Sequence, residues 1–291
     1  MSCLVSVVLG SYNRRKFLPR CLDSVRRELA DVPHEIIVVD GGSTDGSLSW
    51  LVKQKDILTI VQHNRGSWRG RPVRRRSWGY FMNLGFKAAQ GKYICMLSDD
   101  CLVVPGAVKK GLALFERKRR ARQKIGALAF YWRDWPVENF YAVYAFAGGV
   151  LNVNHGLYLR AALQEIGFLD EETYRFYAGD IDVCLQLAAA GYKIIPAENS
   201  YIEHYAHANF RARFANNKQN QERDKRALIK KWSFKYGTNP ENYARQTWPK
   251  DFHDSTRTIR KFYLWHFLNG WEYLLWAYKF CRKTFAKGSV G

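Results

Sequence analysis

Residues 94–104, ICMLSDDCLVV, run an apolar segment directly into two adjacent carboxylates, Asp99 and Asp100. Two neighbouring negative charges repel each other and resist removal from water, so a compensating partner should lie nearby. A solvated turn or a helix cap would also accommodate them, and these residues alone leave both interpretations open. The chain on either side of the stretch decides between them.

Apolar segments alternate with helical patterns through the first hundred residues. The apolar segments are 4–9, 35–40, 58–62 and 93–97, and the helical patterns cover 17–29, a stretch from about 47, and 78–90. This alternation predicts an α/β fold, a Rossmann-like, mostly parallel sheet flanked by helices. Ligands of such sheets bind beyond the carboxyl ends of the strands. Strands that end at Ser11–Asn13, Asp40 and Asp99–Asp100 should therefore bring these polar residues to one edge.

The second half of the chain has a different pattern. Residues 125–154 are aromatic-rich and mixed, and residues 157–166 have helical spacing. A further helix is predicted from near Asp180 to Gly191, followed by a strand that begins at Lys193. Asp180 and Asp182 then lie in the first helical turn, where the helix dipole favours negative charge, so capping alone could explain one of them.

The charge of the chain points to an anionic partner. The net charge is +20, and residues 210–291 carry 18 Lys and Arg against 6 Asp and Glu. Nucleic acid, anionic lipid and phosphorylated substrates all fit this excess. The six cysteines form no CxxC pair, so we expect neither a zinc site nor a disulfide framework, and a cytoplasmic location. The N-terminus lacks the features of a signal peptide and is predicted to be a buried strand.

Four segments in this order resemble family 2 glycosyltransferases, the inverting enzymes with a GT-A fold. They are VSVVLGSYNR (5–14), IIVVDGGSTDGS (36–47), MNLGFKAAQGKYICMLSDDCLVVPGAV (82–108) and FLDEETYRFYAGDIDVCLQLAAAGYKIIP (168–196). The resemblance covers about residues 4–235. It implies a GT-A domain over 1–235, with a nucleotide-sugar half to about 104 and an acceptor half over 105–235, followed by a helical extension over 236–291.

The resemblance also implies the site residues. A nucleotide-diphosphate sugar would be bound by Ser11, Tyr12, Asn13, Arg14, Asp40, Gly42, Ser43, Asn83 and Asp99, with Asp40 at the nucleobase. A Mn²⁺ or Mg²⁺ ion would be held by Asp100 and His204, with His207 as the competing candidate for the histidine. Such an ion neutralises charge on the leaving diphosphate, and it would compensate the two carboxylates.

Two positions depart from the family pattern. Ser98 occupies the first position of the acidic–any–acidic triplet, so Asp100 is the primary metal ligand and Asp99 is assigned to ribose or a metal-bound water. Asp180 aligns with the catalytic base, which takes the proton from the acceptor hydroxyl. Gly179 stands where relatives usually have Glu. Asp182 is then predicted to be structural, holding the helix start or a neighbouring arginine.

The basic and aromatic segments suggest how the acceptor is reached. Residues 223–237 form a basic amphipathic helix by pattern, and 263–281 combine aromatic residues and leucines with four polar interruptions. The second segment fits a helix lying on an anionic membrane surface, or one packed on the catalytic domain or a second subunit. We therefore expect a peripheral enzyme on the cytoplasmic face of the membrane. One or two arginines of Arg65–Arg76 are expected to contact the diphosphate or an acceptor phosphate.

The predicted reaction is transfer from a nucleotide-diphosphate sugar, UDP-sugars favoured, to a hydroxyl of a glycan or lipid-linked acceptor in surface polysaccharide or lipopolysaccharide synthesis. A sugar-phosphate nucleotidyltransferase is one alternative, but it needs a Gly- and Arg-rich signature that GSYNRRKF (10–17) does not supply. A basic nucleic-acid-binding protein is another, although it leaves the strand-end aspartates unexplained. We expect no nucleic-acid partner, and the sequence leaves the oligomeric state open.

Overall fold

The computed structural model describes residues 3–64, 67–134, 138, 140–205 and 218–250. The strands are β1 (Val5–Ser11), β2 (His34–Asp40), β3 (Ile57–Val61), β4 (Ser67–Trp68), β5 (Arg71–Pro72), β6 (Tyr93–Ser98), β7 (Cys101–Val103), β8 (Ile125–Asp134), β9 (Tyr141–Ala145), β10 (Leu151–Asn152), β11 (Gly156–Leu159), β12 (Lys193–His204) and β13 (Gln246–Lys250). The helices are α1 (Leu18–Glu28), α2 (Ser47–Leu51), α3 (Trp78–Ala88), α4 (Ala107–Arg120), α5 (Arg160–Glu165), α6 (Gly179–Ala189) and α7 (Lys218–Tyr236), with 3₁₀ turns at Ala147–Gly149 and Pro240–Tyr243.

The N-terminal half of the main sheet is parallel, in the order β6-β1-β2-β3. Strand β1 lies in the middle, and Ser11 pairs in register with Asp40. Helix α3 packs closely on this sheet at Gly85, where a Cβ atom would lie only 2.5 Å from Val8 Cγ1. The parallel arrangement brings the carboxyl ends of β1, β2 and β6 to one edge, and the predicted α/β class is confirmed.

The C-terminal half adds mostly antiparallel strands to the same sheet. Strand β11 lies between β6 and β8 and is antiparallel to both. Strand β12 runs parallel to β8, and its end pairs with β7, so that His204 opposes Cys101. This pairing brings the last residue of β12 beside the acidic residues that follow β6.

One predicted helix is partly wrong. Residues 157–166 form the last three residues of β11 and then helix α5, which begins at Arg160. A short apolar run fits a buried strand as well as a helix, and here pairing with β6 and β8 decides the outcome. The other helices predicted in the first half are confirmed as α1, α2 and α3, and the helix predicted near Asp180 is α6.

Helix α7 packs on the C-terminal half through a second apolar cluster. Leu228 and Trp232 of α7 are buried in it together with Leu185 of α6. The basic helix predicted over 223–237 is therefore the C-terminal part of a helix that is anchored on the domain by its apolar side chains.

The end of the described chain returns to the sheet. Strand β13 pairs antiparallel with β9, so residues 246–250 of the predicted extension belong to the same sheet as the preceding domain. The aromatic segment 263–281 and His207 lie outside the described residues. Within the parts of the chain that are described, every helix is too short or too polar to cross a bilayer. The boundary at residue 235 and the membrane-surface helix stay predictions.

Candidate active site

A pocket of about 320 Å³ opens at the carboxyl edge of the parallel strands. Its lining includes seven of the twelve predicted site residues: Ser11, Tyr12, Arg14, Asp99, Asp100, Asp180 and His204. These residues come from the end of β1 and the segment after it, from the segment after β6, from the start of α6 and from the end of β12. The fold thus brings together side chains that lie up to 193 positions apart in the sequence.

The two carboxylates after β6 are buried beside a buried arginine. Arg14 Nε lies 3.3 Å from Asp99 Oδ1, and Arg14 Nη2 lies 3.5 Å from Asp100 Oδ2. Burial raises the pKa of Asp99 to about 7; Arg14 opposes this rise and the charge of Asp100 adds to it. Burial lowers the pKa of Arg14, but the two aspartates outweigh it and hold that pKa above its ordinary value. One arginine therefore does not fully compensate the acidic pair, and a further cation would be stabilised here.

His204 joins this acidic pair to a third carboxylate. Its Nε2 lies 3.2 Å from Asp100 Oδ1, and its Nδ1 lies 2.7 Å from Asp134 Oδ1. Burial lowers the pKa of His204, but the charges of Asp100 and Asp134 outweigh it and raise the pKa to about 10. Asp134, at the end of β8, was not predicted, and no motif in the sequence marks it.

The Asp100–His204 pair fits the shell of a divalent cation. A separation of 3.2 Å suits neighbouring ligands of one ion with metal–ligand distances of about 2.1 Å. A carboxylate that fixes the other ring nitrogen of a ligand histidine is the usual support in metal sites, and Asp134 is placed to supply it. Oxygen ligands from aspartate favour Mn²⁺ or Mg²⁺.

Asp180 faces the same pocket from the first turn of α6. Its Oδ2 accepts a hydrogen bond from Asn152 Nδ2 at 3.0 Å, and its Oδ1 accepts one from the Ile181 backbone N–H at 3.1 Å. Burial raises the pKa of Asp180, and the hydrogen bond from Asn152 opposes the rise. A partly desolvated carboxylate with few donors is a stronger base than an exposed one.

Trp78 explains why residue 179 is glycine. A Cβ at Gly179 would lie 2.9 Å from Trp78 Cε3 and 3.2 Å from Cζ3, so the indole occupies the space where a side chain would begin. Trp78 also lines the pocket. The supporting glutamate expected beside Asp180 is thus replaced by an aromatic wall.

Asp182 is fully buried and saturated with hydrogen bonds. Its Oδ1 accepts from Tyr174 Oη at 3.0 Å and Trp232 Nε1 at 2.7 Å. Its Oδ2 accepts from Gln186 Nε2 at 2.6 Å and Lys231 Nζ at 2.9 Å. Two of these donors belong to α7, so Asp182 ties α6 to α7, and it pairs with a lysine where an arginine was one of the expectations.

Four predicted nucleotide-binding residues form the loop around Asp40 and do not line the pocket. Asp40 accepts from the backbone N–H groups of Gly42 at 2.9 Å and Ser43 at 2.7 Å, and from Ser43 Oγ at 2.6 Å. Asn13 Oδ1 accepts from the Thr44 N–H at 2.8 Å. Asp40 therefore caps the turn that follows β2, and this loop supports the end of β1, which lines the pocket.

The structure does not bring Asn83 to the pocket. Its amide is fully buried and is bonded to the backbone N–H and C=O of Leu169 and to Glu171 Oε1. These bonds use both amide N–H groups and hold α3 against residues 169–171.

Arginines frame the other side of the pocket. Arg75 and Arg76, from the predicted Arg65–Arg76 segment, line it together with Arg175, which was not predicted. Asn64 holds this segment, since its Oδ1 accepts from the Arg76 N–H at 2.6 Å. Burial lowers the pKa of Arg75, and the nearby charge of Arg175 lowers it further. Two close guanidinium groups suit an anionic ligand.

Comparison with known proteins gives a consistent picture. Residues 6–125 match the family model described as glycosyl transferase family 2. The uncharacterized glycosyltransferase YwdF of Bacillus subtilis (strain 168) is 26% identical over 208 residues, which cover 65% of this chain and 69% of YwdF. For three further curated glycosyltransferases, the alignment covers only 44%, 33% and 30% of the relative.

Solved structures show the same fold. S. aureus TarS (residues 1–349) in complex with UDP-GlcNAc superposes with a TM-score of 0.52 at 16% identity, covering 81% of this chain and 74% of TarS. The mannosyltransferase PcManGT from Pyrobaculum calidifontis, in complex with GDP-Man and Mn²⁺, gives a TM-score of 0.55 at 17% identity, covering 100% of this chain and 76% of PcManGT. The GT-A fold is thus shown.

Proposed function

The chain carries a family 2 glycosyltransferase domain, and we propose that this enzyme moves a sugar from a nucleotide-diphosphate sugar to a hydroxyl group of a glycan or lipid-linked acceptor. One observation carries the proposal. Asp99 and Asp100 after β6 and Asp180 at the start of α6 line a single pocket. The family match favours this function over the nucleotidyltransferase and the nucleic-acid-binding protein.

In the proposed reaction, the acceptor oxygen bonds to the anomeric carbon from the side opposite the diphosphate. The bond between that carbon and the diphosphate oxygen breaks, and its electron pair leaves with the nucleoside diphosphate. Asp180 takes the proton of the acceptor hydroxyl. A single displacement of this kind inverts the configuration of the sugar. The raised pKa of Asp180 supports its role as the base.

The acidic pair and its cations form the leaving-group side. A Mn²⁺ or Mg²⁺ ion held by Asp100 and His204 would neutralise charge on the departing diphosphate. Arg14 orients both carboxylates, and Asp134 fixes the His204 ring so that Nε2 faces the pocket. Arg75 and Arg76 are proposed to contact the diphosphate or a phosphate on the acceptor.

The donor nucleotide is proposed to be UDP, and the ribose is assigned to Asp99 and the β1 end at Ser11 and Tyr12. The UDP-GlcNAc complex of TarS supports UDP, whereas the PcManGT complex contains GDP-Man and Mn²⁺. The acceptor is proposed to belong to surface polysaccharide or lipopolysaccharide synthesis. The positive charge of residues 210–291 supports a peripheral location on the cytoplasmic face of an anionic membrane.

Release of nucleoside diphosphate from a panel of nucleotide sugars tests this proposal. We expect the full chain to release UDP from at least one UDP-sugar with Mn²⁺ present and to stop when the metal is chelated. Asp100→Asn should abolish the response to Mn²⁺, whereas Asp31→Asn, at an exposed carboxylate paired with Lys109, should not. Release that survives chelation would contradict the metal dependence. If an oligonucleotide raised the melting temperature of the chain and no nucleoside diphosphate did, the proposed function itself would be contradicted.

A further inference from the structure

A buried cysteine and a buried histidine lie next to the metal-binding candidate His204, and the proposed reaction does not use them. Cys101 is 1% exposed and His155 is fully buried. The Cys101 Sγ atom lies 3.7 Å from His155 Nδ1 and 3.9 Å from Nε2. Within the described parts of the chain, this thiol is the only hydrogen-bonding contact of the His155 ring. Burial, together with the nearby charge of His204, lowers the pKa of His155 to about 3.

His204 completes the group. Its ring centroid lies 5.1 Å from that of His155, and one ligand atom from each of Cys101, His155 and His204 falls within 4.8 Å of the others. The bond from His204 Nδ1 to Asp134 leaves Nε2 as the coordinating atom. Asp134 thus gives this histidine the carboxylate support that is usual for zinc ligands.

The spacing of the group is close to that of a zinc site. Ligand sulfur and nitrogen atoms on one tetrahedral zinc ion lie about 3.5 Å apart, given Zn–S and Zn–N distances of about 2.3 and 2.1 Å. The Cys101–His155 distances of 3.7 and 3.9 Å are close to this value. A rotation of the His155 ring would turn one nitrogen lone pair to the ion. The other separations lie within 4.8 Å, so a change of roughly 1 Å in each would bring the three ligand atoms to this spacing.

We infer that Cys101, His155 and His204 form a site for a thiolate-preferring divalent cation such as Zn²⁺, separate from the oxygen-ligand site at Asp100. Binding displaces the proton of the Cys101 thiol and the proton on His204 Nε2, and both pass to solvent as the metal–ligand bonds form. The fourth position is taken by water, and Asp100, which lies 3.2 Å from His204 Nε2, remains a ligand of the oxygen-ligand site. The chain has no CxxC pair, and these three residues are spread over 104 positions, so the sequence predicts no zinc site.

The two cation sites share one histidine nitrogen. Because Nε2 of His204 can bind only one ion at a time, Zn²⁺ at the cysteine site removes a ligand from Mn²⁺ or Mg²⁺ at Asp100. This competition rests on the proposed function, whereas Zn²⁺ binding itself does not. Thiolate and imidazole ligands select Zn²⁺ over Mg²⁺ and Mn²⁺, so the two sites differ in the metal that they prefer.

Cobalt titration of the metal-free full chain, without nucleotide and with a non-thiol reductant, tests the site directly. One equivalent of Co²⁺ should produce a thiolate-to-cobalt charge-transfer band, and Zn²⁺ should remove it at a stoichiometry of one. Cys101→Ala should abolish the band and His155→Gln should weaken Co²⁺ binding. Cys95→Ala is the matched control, because Cys95 is another buried free cysteine, on β6. It should leave the band unchanged.

Melting temperatures show whether each variant is folded, and Cys101→Ser, which keeps the size of the side chain, replaces Cys101→Ala if the latter unfolds. Asp134→Asn should weaken Zn²⁺ binding by about 10- to 100-fold, because it removes the support of His204. A wild-type protein with no charge-transfer band, or a band that persists in the Cys101 variants, would overturn the inference. Neither result depends on finding a sugar donor.

Discussion

The molecule holds two acidic residues at the start of α6, and their surroundings differ sharply. Asp180 accepts two hydrogen bonds, one from Asn152 and one from its neighbour's backbone. Asp182, two residues further along the helix, accepts four, from Tyr174, Gln186, Lys231 and Trp232. Two carboxylates in the same helical turn therefore accept different numbers of hydrogen bonds.

This difference in hydrogen bonding distinguishes a structural carboxylate from the proposed base. A carboxylate has about four lone-pair positions, and Asp182 uses all of them inside the fold. Asp180 retains acceptor capacity and lines the pocket, so an acceptor hydroxyl can bind there. Hydrogen-bond saturation, which the sequence does not show, is therefore the property that assigns the roles. Replacing each residue by its isosteric amide tests that assignment.

Asp180→Asn should have the largest effect, on activity alone. An amide cannot take the hydroxyl proton, so kcat for transfer should fall by about 10²- to 10⁴-fold. The fold should survive, because Asn152 Oδ1 has no hydrogen-bond partner among the described residues and can accept from the new amide after a flip. Transfer assays and thermal melting measure the two effects. Turnover close to that of the wild type would refute the base assignment, provided that UDP with Mn²⁺ still binds.

Asp182→Asn should do the reverse and reduce stability. Either orientation of the new amide points an N–H group at donors, at Tyr174 and Trp232 or at Gln186 and Lys231. We expect the free energy of unfolding to fall by about 2–3 kcal/mol, measured by chemical denaturation. Lys231 retains its contact with Asp170 at 2.6 Å, which limits the loss. Equal stabilities of the two amide variants would contradict the comparison.

The sequence predicts the parallel half of the fold far better than the other half. Uniformly apolar strands that alternate with helices give β1, β2, β3, β6 and their helices directly, and the strand-end polar residues mark the site edge. The insertion of β11 between β6 and β8 depends on pairing between distant segments, which local patterns do not encode. In the second half, the sequence therefore predicts only α6, β12, the basic helix and part of α5.

The site was predictable to the same extent. Motif positions predicted residues that line the pocket, Asp100 and Asp180 among them. They did not show that the side chains of Asn83 and Asp40 form hydrogen bonds within the fold. Asp134, His155 and Arg175 were missed because only folding brings each of them close to the other residues of the site. No sequence signal distinguishes them from ordinary strand or loop residues.

The smallest expected effect concerns Asn152, the side-chain donor to Asp180. This hydrogen bond favours the charged carboxylate, while burial raises the pKa of Asp180. Since the base must be ionised, kcat should rise with pH along an acid limb that lies above the range of an ordinary carboxyl group. Asn152→Ala removes the donor, so the limb should move to higher pH. Activity at high pH should stay close to that of the wild type.

The same change affects stability with a defined sign. Because the pKa of Asp180 is raised on folding, its contribution to stability is complete below the pKa of the unfolded carboxyl group and is lost as pH rises through the folded value. Asn152→Ala should enlarge that loss. Asn154→Ala is the control, since Asn154 lines the same pocket without a hydrogen bond to Asp180 among the described contacts, and its acid limb should not move. A limb that moves to lower pH in Asn152→Ala, or equally in both variants, would show that Asn152 does not hold the charge of Asp180.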